Sequence, residues 1–428
     1  MIGSSMSLFP RKLCAEWRKR GIDVTLFTGV TGGPRQLPDG TPVVEPLYHR
    51  KTKPWQDKLQ ERAATCDEWI ARRHFARYKS RTGIEQPSPW EWQFYANFSQ
   101  AFPIARAIRA FRPDFVFAQE VFSYGFAAAC CGSIPKFLFP WGADVFWCPE
   151  LSPLISLMVR SALWRAKLIM PTSHYGVDHI AKRFGISCKK LRAISWGADL
   201  TLFKPADADR RKQICANWNI PPEATILLNV RRLRKQWGSL DVFEAFLRLA
   251  RENSTTHFVM LGGEGTESAA AECREKARAA GVADRFTIID GAISIEQVAD
   301  LMGISAIYTS VMGSGDMRSL SVVQAAAGGG APLLGEHPEY ANMQQQGFRT
   351  LFAQRNNPDS IYTTIRRYLD DEPLRRETVR NNLAYVAKYE DERTQMDLLL
   401  ETILQQLERS DRMNISPPAR LSPACPAV

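Results

Sequence analysis

Residues 313–325 combine a glycine-containing turn, a carboxylate and the start of a helix, and they follow an apolar strand. The free amides and positive dipole end at a helix start bind anionic groups such as a diphosphate. We therefore predict a diphosphate site at residues 317–320. Asp316 is placed to accept hydrogen bonds from sugar hydroxyls, and Gln324 lies one to two turns into the helix, where it can reach a ribose. A loop with a serine N-cap would explain Ser319 alone, not the whole arrangement.

The elements that must position this stretch alternate between short apolar runs and helical patterns, as in parallel α/β sheets. Strands are predicted at residues 24–27, 115–117, 137–139, 168–170, 191–194, 226–230, 257–261, 286–289, 306–308 and 331–334. Helices are predicted at about 10–20, 240–251, 319–327, 359–369 and 374–404. The sequence therefore predicts an α/β chain with two Rossmann-like, doubly wound domains.

Breaks in this alternation suggest the domain boundaries. We expect an N-terminal domain at 1–205 with an insertion at about 51–112, a Pro- and Asp-rich linker at 206–222, and a C-terminal domain at 223–385. A helix at 386–408 should cross back to the first domain, before a proline-rich disordered tail at 409–428. Only Met1 and Ile2 precede the first turn, where a strand of about five residues is expected. Either this start is late or the first strand is vestigial. We expect a late start, because losing a central strand would expose sheet edges.

Composition limits the class of protein. The 428 residues suggest roughly two or three domains, and 45% hydrophobic with 23% charged residues is typical of globular proteins. No apolar run approaches ~18 residues, and the N-terminus lacks the apolar core of a signal peptide. The nine cysteines and six histidines are scattered without metal-ligand spacing. This favours reduced cytosolic thiols and no bound metal.

The net charge of +10 belongs to the first half of the chain. Residues 1–200 carry 28 Lys and Arg against 16 Asp and Glu, whereas residues 201–428 carry 27 against 29. A basic half can face anionic lipid, phosphorylated substrates or nucleic acid, or it can simply be a solvated surface. Because no nucleic-acid module accompanies the charge, we expect no nucleic-acid partner.

An ordered set of landmarks resembles the retaining glycosyltransferases of family four, which have the GT-B fold. Asp316 and Gln324 resemble the two glutamates, eight positions apart, of that family's donor motif, and an Ala-rich helix and Pro332 follow as in the family. Further similar segments occur in the family's order: Pro113-Asp114-Phe115-Val116, Trp141-Gly142-Ala143-Asp144, Trp196-Gly197-Ala198-Asp199, Phe203-Lys204-Pro205, Arg231-Arg232-Leu233, Leu261-Gly262-Gly263-Glu264-Gly265 and Asp290-Gly291. The resemblance implies two facing domains and sugar transfer with retention, without metal or cofactor, the nucleotide-sugar being a substrate.

The resemblance also implies site residues. Candidates for catalysis are Asp144, Arg232, Lys235 and Asp316. Candidates for donor binding are Gly3, Ser4, Arg232, Lys235, Gly263, Gly315, Asp316, Met317, Arg318, Ser319, Leu320 and Gln324. Candidates on the acceptor side are Gln119, Glu120, Trp141 and Gly142. Exposed loop charges remain the alternative for Arg232 and Lys235, a plain turn aspartate for Asp144, and an ordinary βα turn for Gly3 and Ser4.

Several positions depart from the family pattern. Asp316 is a shorter carboxylate than the family's first glutamate, and Phe117 and Gln119 stand in the places of paired histidines. Gln324 replaces the second glutamate, Trp141 stands in the place of a histidine, and Trp237 in the place of a lysine. The insertion at 51–112 mixes aromatic with basic side chains, which suits either contact with an anionic membrane surface or packing around an acceptor cleft.

These observations predict a metal-independent, hexosyltransferase-like glycosyltransferase that moves a sugar from a nucleotide-sugar donor to a glycan or glycolipid acceptor. We expect it to act in cell-surface polysaccharide or lipopolysaccharide synthesis, in the cytoplasm or peripherally on the inner face of the membrane. The alternatives are a non-catalytic GT-B protein that binds a ligand or partner, and a sugar-nucleotide epimerase that needs no acceptor.

Overall fold

A computed structural model describes residues 1–2, 8–28, 34–44, 98–150, 153–233, 237–263, 266–312 and 317–414. The predictions for Gly3, Ser4, Lys235, Gly315 and Asp316 lie outside these residues, as do those for positions 51–97 of the insertion and for residues 415–428.

The N-terminal lobe is built on a parallel sheet. Its elements are α1 (Leu8–Lys19), β1 (Leu26–Phe27), β2 (Val43–Val44), α2 (Phe98–Phe111), β3 (Val116–Gln119), a π-turn (Val121–Gly125), α3 (Phe126–Ala129), β4 (Lys136–Phe139), α4 (Ala143–Phe146), α5 (Pro153–Arg165), β5 (Leu168–Ile169) and α6 (His174–Phe184). Ile2 forms parallel bridges to Phe27 and Ala118, so it joins β1–β2 to β3–β4–β5. The strands are apolar along their length because both faces of the sheet are covered.

The C-terminal lobe contains a six-stranded parallel sheet of order β11-β10-β9-β6-β7-β8. Its elements are α7 (Ala208–Asn217), β6 (Thr225–Asn229), α8 (Ser239–Glu252), β7 (Thr256–Leu261), α9 (Glu267–Ala279), β8 (Phe286–Ile289), α10 (Ile295–Ile304), β9 (Ile307–Ser310), α11 (Leu320–Ala327), β10 (Ala331–Gly335), α12 (Pro338–Gln345), β11 (Leu351–Ala353), α13 (Pro358–Asp370) and α14 (Glu372–Tyr389). Short 3₁₀ turns lie at Ala283–Arg285 in this lobe, and at Cys148–Glu150 and Cys188–Lys190 in the N-terminal lobe. Two apolar clusters cover the two faces of this sheet.

The last helix, α15 (Glu392–Asn414), packs on the N-terminal lobe. Its Leu399, Leu400 and Ile403 are buried in one cluster with Leu13 and Trp17 of α1. A part-buried ion pair joins the start of α15 to α1, with Lys12 Nζ 3.1 Å from Glu392 Oε1.

The two chain crossings between the lobes run side by side. The N–H of Ala198 donates to the carbonyl of Glu390 at 2.6 Å, and the N–H of Glu392 donates to the carbonyl of Ala198 at 3.0 Å. Gly197 has φ +71°, and a Cβ there would lie 2.7 Å from the Cα of Glu392. Only glycine therefore permits this close approach.

The α/β prediction with parallel sheets is confirmed, but several element boundaries were wrong. Residues 191–194 make a single bridge, Ile169 to Leu191, rather than a strand. The supposed linker contains α7, because Asp207 caps it by accepting the N–H of Arg210 at 2.8 Å and Ile214 is buried against the C-terminal core.

The predicted helix over 374–404 is two helices that break at Glu390, and the second continues to Asn414, past the predicted start of the tail at 409. Within the described ranges, no helix is long and apolar enough to cross a bilayer.

Candidate functional site

The start of α11 is held by polar side chains from neighbouring strand ends. Ser319, the N-cap residue, is buried, and the guanidinium of Arg231 donates to its Oγ. Ser321 Oγ lies 3.0 Å from Ser319 Oγ and accepts a 2.8 Å hydrogen bond from the hydroxyl of Tyr308. These contacts fix the first turn of a helix whose leading amides have no partners within the helix, as an anion site requires.

Arg231 and Arg232 follow β6 and have different surroundings. Arg231 Nε donates to Ser310 Oγ at 3.3 Å, and its guanidinium lies 5.6 Å from the ring centroid of Trp237. Arg232 is exposed and packs its stem beside Gly263, where a Cβ would come within 3.3 Å of Arg232 Cγ. The structure thus places Arg231, which sequence reasoning missed, at the helix start. The adjacent pair was visible in the sequence, but the inward direction of one side chain was not.

Met317 and Arg318 connect the loop before α11 to both lobes. Met317 is buried in the core cluster of the N-terminal lobe, near Gly176 of α6. The Arg318 guanidinium is ion-paired with Glu339 of α12, with Nη2 2.6 Å from Oε1, and with Glu390. Burial alone would lower the pKa of Arg318, but these two carboxylates raise it overall. The Arg318 side chain, predicted to bind a donor, is therefore committed to protein carboxylates in this conformation.

The remaining described donor candidates lie on one helix or beside it. Leu320 is the first residue of α11, and Gln324 is half-buried one turn further along the same helix. The structure therefore brings Ser319, Leu320 and Gln324 together with Arg231.

The acceptor-side candidates lie at the ends of β3 and β4, and two of them hold loops. Asp144 is fully buried and accepts hydrogen bonds from the N–H groups of Val121 at 2.8 Å, Gly142 at 2.8 Å and Trp141 at 3.1 Å. Its carboxylate is thus used by the turn that follows β4. This geometry favours the plain turn aspartate over a direct contact with sugar.

Glu120 is buried in an unusual backbone conformation, with φ 77°. Its Oε1 accepts the N–H of Ser123 at 2.9 Å, and its Oε2 accepts the Ser123 hydroxyl at 2.8 Å. Burial, and then the nearby Asp144 carboxylate, raise the pKa of Glu120 to about 8. Burial also raises the pKa of Asp144, although the N–H donors that it accepts oppose this shift. The pair therefore carries less than its formal charge near neutral pH.

Trp141 exposes an aromatic ring, whereas Gln119 is buried with an unsatisfied side-chain amide. Trp141 is 39% exposed, and its ring contacts Phe9 at 5.4 Å and Trp196 at 6.3 Å between centroids. Gln119 is 2% exposed, and among the residues placed by the structure neither amide atom of its side chain has a hydrogen-bond partner. Gln119 is paired in register with Phe139, two residues before Trp141 in the chain. An exposed aromatic ring and an unsatisfied buried amide are both features of polar-ligand sites.

Comparison with known proteins matched almost the whole chain. Residues 9–202 match the family described as Glycosyltransferase Family 4, and residues 210–384 match Glycosyl transferases group 1. A glycosyltransferase from Rickettsia africae is similar in structure, with a TM-score of 0.70, 12% identity, and coverage of 95% of this chain and 97% of that one.

Two other solved structures have the same fold. Anabaena HepE in complex with UDP-glucose has a TM-score of 0.67 at 13% identity, covering 94% of this chain and 98% of that one. WaaG, a glycosyltransferase involved in lipopolysaccharide biosynthesis, has a TM-score of 0.64 at 13% identity, covering 93% and 96%. No curated protein matches the sequence significantly.

Proposed function

Because the chain belongs to the GT-B glycosyltransferases of family four, we propose that it transfers a sugar, with retention, from a nucleotide-sugar donor to a glycan or glycolipid acceptor. The observation that carries this proposal is the start of α11, where buried Ser319 is held by Arg231 beside the carboxyl ends of β6 and β9. Ligands of open parallel sheets bind outside the carboxyl ends of the strands.

The donor diphosphate would lie at the start of α11. Arg231, Arg232 and the leading amides of the helix would stabilise the negative charge that develops as the bond between the sugar C1 and the phosphate oxygen breaks. The acceptor oxygen forms the new bond on the same face of the sugar, and its proton passes to the departing phosphate. We propose that cationic side chains and the helix dipole carry this charge without a metal ion. The contact of Arg231 with Ser319 at the helix start supports this assignment.

Recognition of the transferred sugar and of the ribose would involve the two ends of the donor motif, Asp316 and Gln324. We propose that Asp316 accepts hydrogen bonds from the sugar hydroxyls and that Gln324 meets the ribose. The fold is shared with HepE, which was solved with UDP-glucose, so UDP-glucose is the first donor to test.

We propose that Trp141 provides the acceptor-side contact, and that Asp144 shapes the loop which presents it. An exposed aromatic ring offers a flat apolar face for a sugar. Three backbone N–H groups donate to Asp144, including that of Trp141 itself. Removing the carboxylate should therefore displace the Trp141 ring rather than remove a proton acceptor.

The acceptor would be membrane-associated, with the protein peripheral on the cytoplasmic face. Helix α5 contains no acidic residue, and it exposes Leu157 (63%) and Trp164 (61%) on either side of the exposed Arg160. Exposed Trp and Arg on one helix face suit the interface of an anionic bilayer. WaaG, with the same fold, acts in lipopolysaccharide biosynthesis, so a lipid-linked glycan is the acceptor class that we propose.

The test is a panel of UDP-, GDP- and ADP-sugars, each incubated with and without lipid-linked glycan acceptors while released nucleotide and glycosylated product are measured. We expect one nucleotide class to give acceptor-dependent release with the anomeric configuration retained. Arg232→Ala should slow this release, whereas Arg251→Ala, an exposed arginine on α8, serves as the matched control.

Two outcomes would contradict the proposal. Nucleotide binding without turnover for every donor and acceptor would support the non-catalytic alternative. Nucleotide release that needs no acceptor and yields a rearranged sugar would support the epimerase.

A further inference from the structure

Arg318 is the centre of a buried cluster of three charges. Its side chain is 9% exposed, that of Glu339 is 0% exposed and that of Glu390 is 1% exposed. Both Nε and Nη2 of Arg318 donate to Glu339 Oε1, at 3.1 and 2.6 Å, and Nη1 donates to Glu390 Oε1. The guanidinium therefore uses all three of its nitrogens on these two carboxylates.

The two carboxylates also bind the N-terminal lobe. Glu339 Oε2 accepts the N–H of Tyr175, the second residue of α6, at 3.1 Å. Glu390 Oε2 accepts the hydroxyl of Ser195. Glu390 also lies at the break between α14 and α15, where the two chain crossings pair. Through these two glutamates, Arg318 is connected both to the N-terminal lobe and to the chain crossing between the lobes.

Thermodynamic stability does not by itself explain such a cluster. Taking three ionised groups out of water is costly, and well-packed apolar residues often replace buried ion pairs without loss of stability. What an arginine supplies is direction, because its planar fork fixes the relative orientation of the groups that it joins. In the sequence, Arg318 directly precedes Ser319, the N-cap residue of α11.

We propose that Arg318 is a positioning residue that fixes residues 317–320, at the start of α11, against both lobes through Glu339 and Glu390. This inference rests on the proposed function. With Arg318 in place, the first turn of α11 keeps one geometry relative to the N-terminal lobe. Without it, the nucleotide still finds Arg231 and the helix start, but the sugar is held in several orientations. A misplacement of about 1 Å at a reacting centre can cost 10²-fold in rate.

The test compares Arg318→Met and Arg318→Lys with Arg366→Met, which removes an exposed, ion-paired arginine on α13. Steady-state kinetics use the donor that is active with the wild-type protein, and the dissociation constant of UDP or the matching nucleotide is measured separately. We expect kcat to fall about 100-fold in Arg318→Met and about 10-fold in Arg318→Lys, because lysine can pair with one carboxylate but not fork to both. The nucleotide dissociation constant should change less than about threefold, and Arg366→Met should behave as wild type.

Hydrogen exchange of the amides at residues 317–322 gives a readout independent of activity. We expect these amides to exchange at least tenfold faster in Arg318→Met than in wild type. Glu390→Gln, which keeps the shape of the side chain, should show the same change in smaller measure. Should Arg318→Met fail to fold, Arg318→Lys and Glu390→Gln carry the test.

Two results would overturn the proposal: unchanged kcat in a folded Arg318 variant, or unchanged exchange at 317–322 accompanied by a general loss of thermal stability. A wild-type protein that turns over no donor would refute the proposed function instead. In that case the exchange rates of the amides at residues 317–322 alone decide whether Arg318 fixes the start of α11.

Discussion

Replacing Glu120 with glutamine should remove a loss of folding stability that the N-terminal lobe suffers as the pH rises. Glu120 is buried beside Asp144, and its pKa is raised to about 8 from an ordinary value of 4.5. The glutamine amide has the shape of the protonated acid. Its oxygen can accept the N–H of Ser123 as Glu120 Oε1 does now, and its NH₂ can donate to the Ser123 hydroxyl.

The sign of the effect follows from which state binds the proton. Below pH 4.5 both the folded and the unfolded chain carry a neutral Glu120, so the group costs nothing. Between pH 4.5 and about 8 the unfolded chain ionises while the folded chain keeps its proton, and stability falls with pH. Above about pH 8 both states are ionised and the loss stays constant.

The gap between 4.5 and about 8 corresponds to about 5 kcal/mol at ~1.4 kcal/mol per pH unit, as an upper bound. Because Glu120 and Asp144 titrate as a pair, part of this belongs to Asp144. We therefore expect Glu120→Gln to be more stable than wild type by about 2 to 3 kcal/mol at pH 8.5 and nearly equal at pH 5. For a lobe of this size, the melting temperature would rise by about 4 to 12 °C at pH 8.5.

Thermal unfolding of both proteins across pH 5 to 9 measures this difference, and titrating groups that do not interact with Glu120 cancel in the comparison. Glu223→Gln, at an exposed position, controls for the loss of one formal negative charge. Parallel melting curves, with the same difference at pH 5 and pH 8.5, would refute the reasoning. So would a Glu120→Gln protein that is less stable at every pH.

Four further substitutions, the last of them a control, test the site and the fold. Arg232→Ala should lower turnover by about two to three powers of ten with an unchanged melting temperature, as loss of a charge stabiliser commonly does; normal kinetics would make Arg232 a surface charge. Trp141→Ala should raise the acceptor KM by roughly 2- to 10-fold, the value of one ring contact, and an unchanged KM would remove Trp141 from the acceptor side. Gly238→Ala should destabilise by about 3 kcal/mol or more in chemical denaturation, since φ is +69° and a Cβ would lie 2.2 Å from the carbonyl oxygen of Val311. Gly281→Ala, at φ +67° with nothing within 4 Å, should cost only about 1 to 2 kcal/mol, and equal losses would show that the clash is relieved.

Strands were predictable because they are short, largely apolar runs. The strands β7 and β10 are buried along almost their whole length, and the half-buried edge strand β8 has a similarly apolar composition. The prediction for 286–289 coincides with β8, and those for 257–261 and 331–334 miss β7 and β10 by one residue at one end. Helix boundaries were less predictable in the supposed linker, where the Asp207 cap was present in the sequence but the prolines and charges around it favoured a loop.

The site was predictable where it depends on local order, and not where it depends on distant partners. Gln324 was placed correctly on α11 because the helical pattern is local, and Ser319, predicted as the first helical residue, is the N-cap of that helix. The partners of Arg318, by contrast, lie 21 and 72 residues further along the chain, so no local pattern pairs them with it. The role of Asp144 was left open for a related reason. One of the three N–H groups that donate to its carboxylate belongs to Val121, in the π-turn after β3, which is distant in the sequence.

The docking of α15 on α1 means that the first lobe is not one contiguous stretch of the gene. Lys12 and Glu392, which pair across this contact, are separated by 380 residues. Domains commonly fold in the order of their synthesis. During synthesis, however, the apolar side of α1 stays uncovered until α15, near the other end of the chain, has left the ribosome. A first lobe produced on its own would therefore need α15 fused to its C-terminal end. In a circular permutant with new termini between the lobes, α15 would be synthesised before α1.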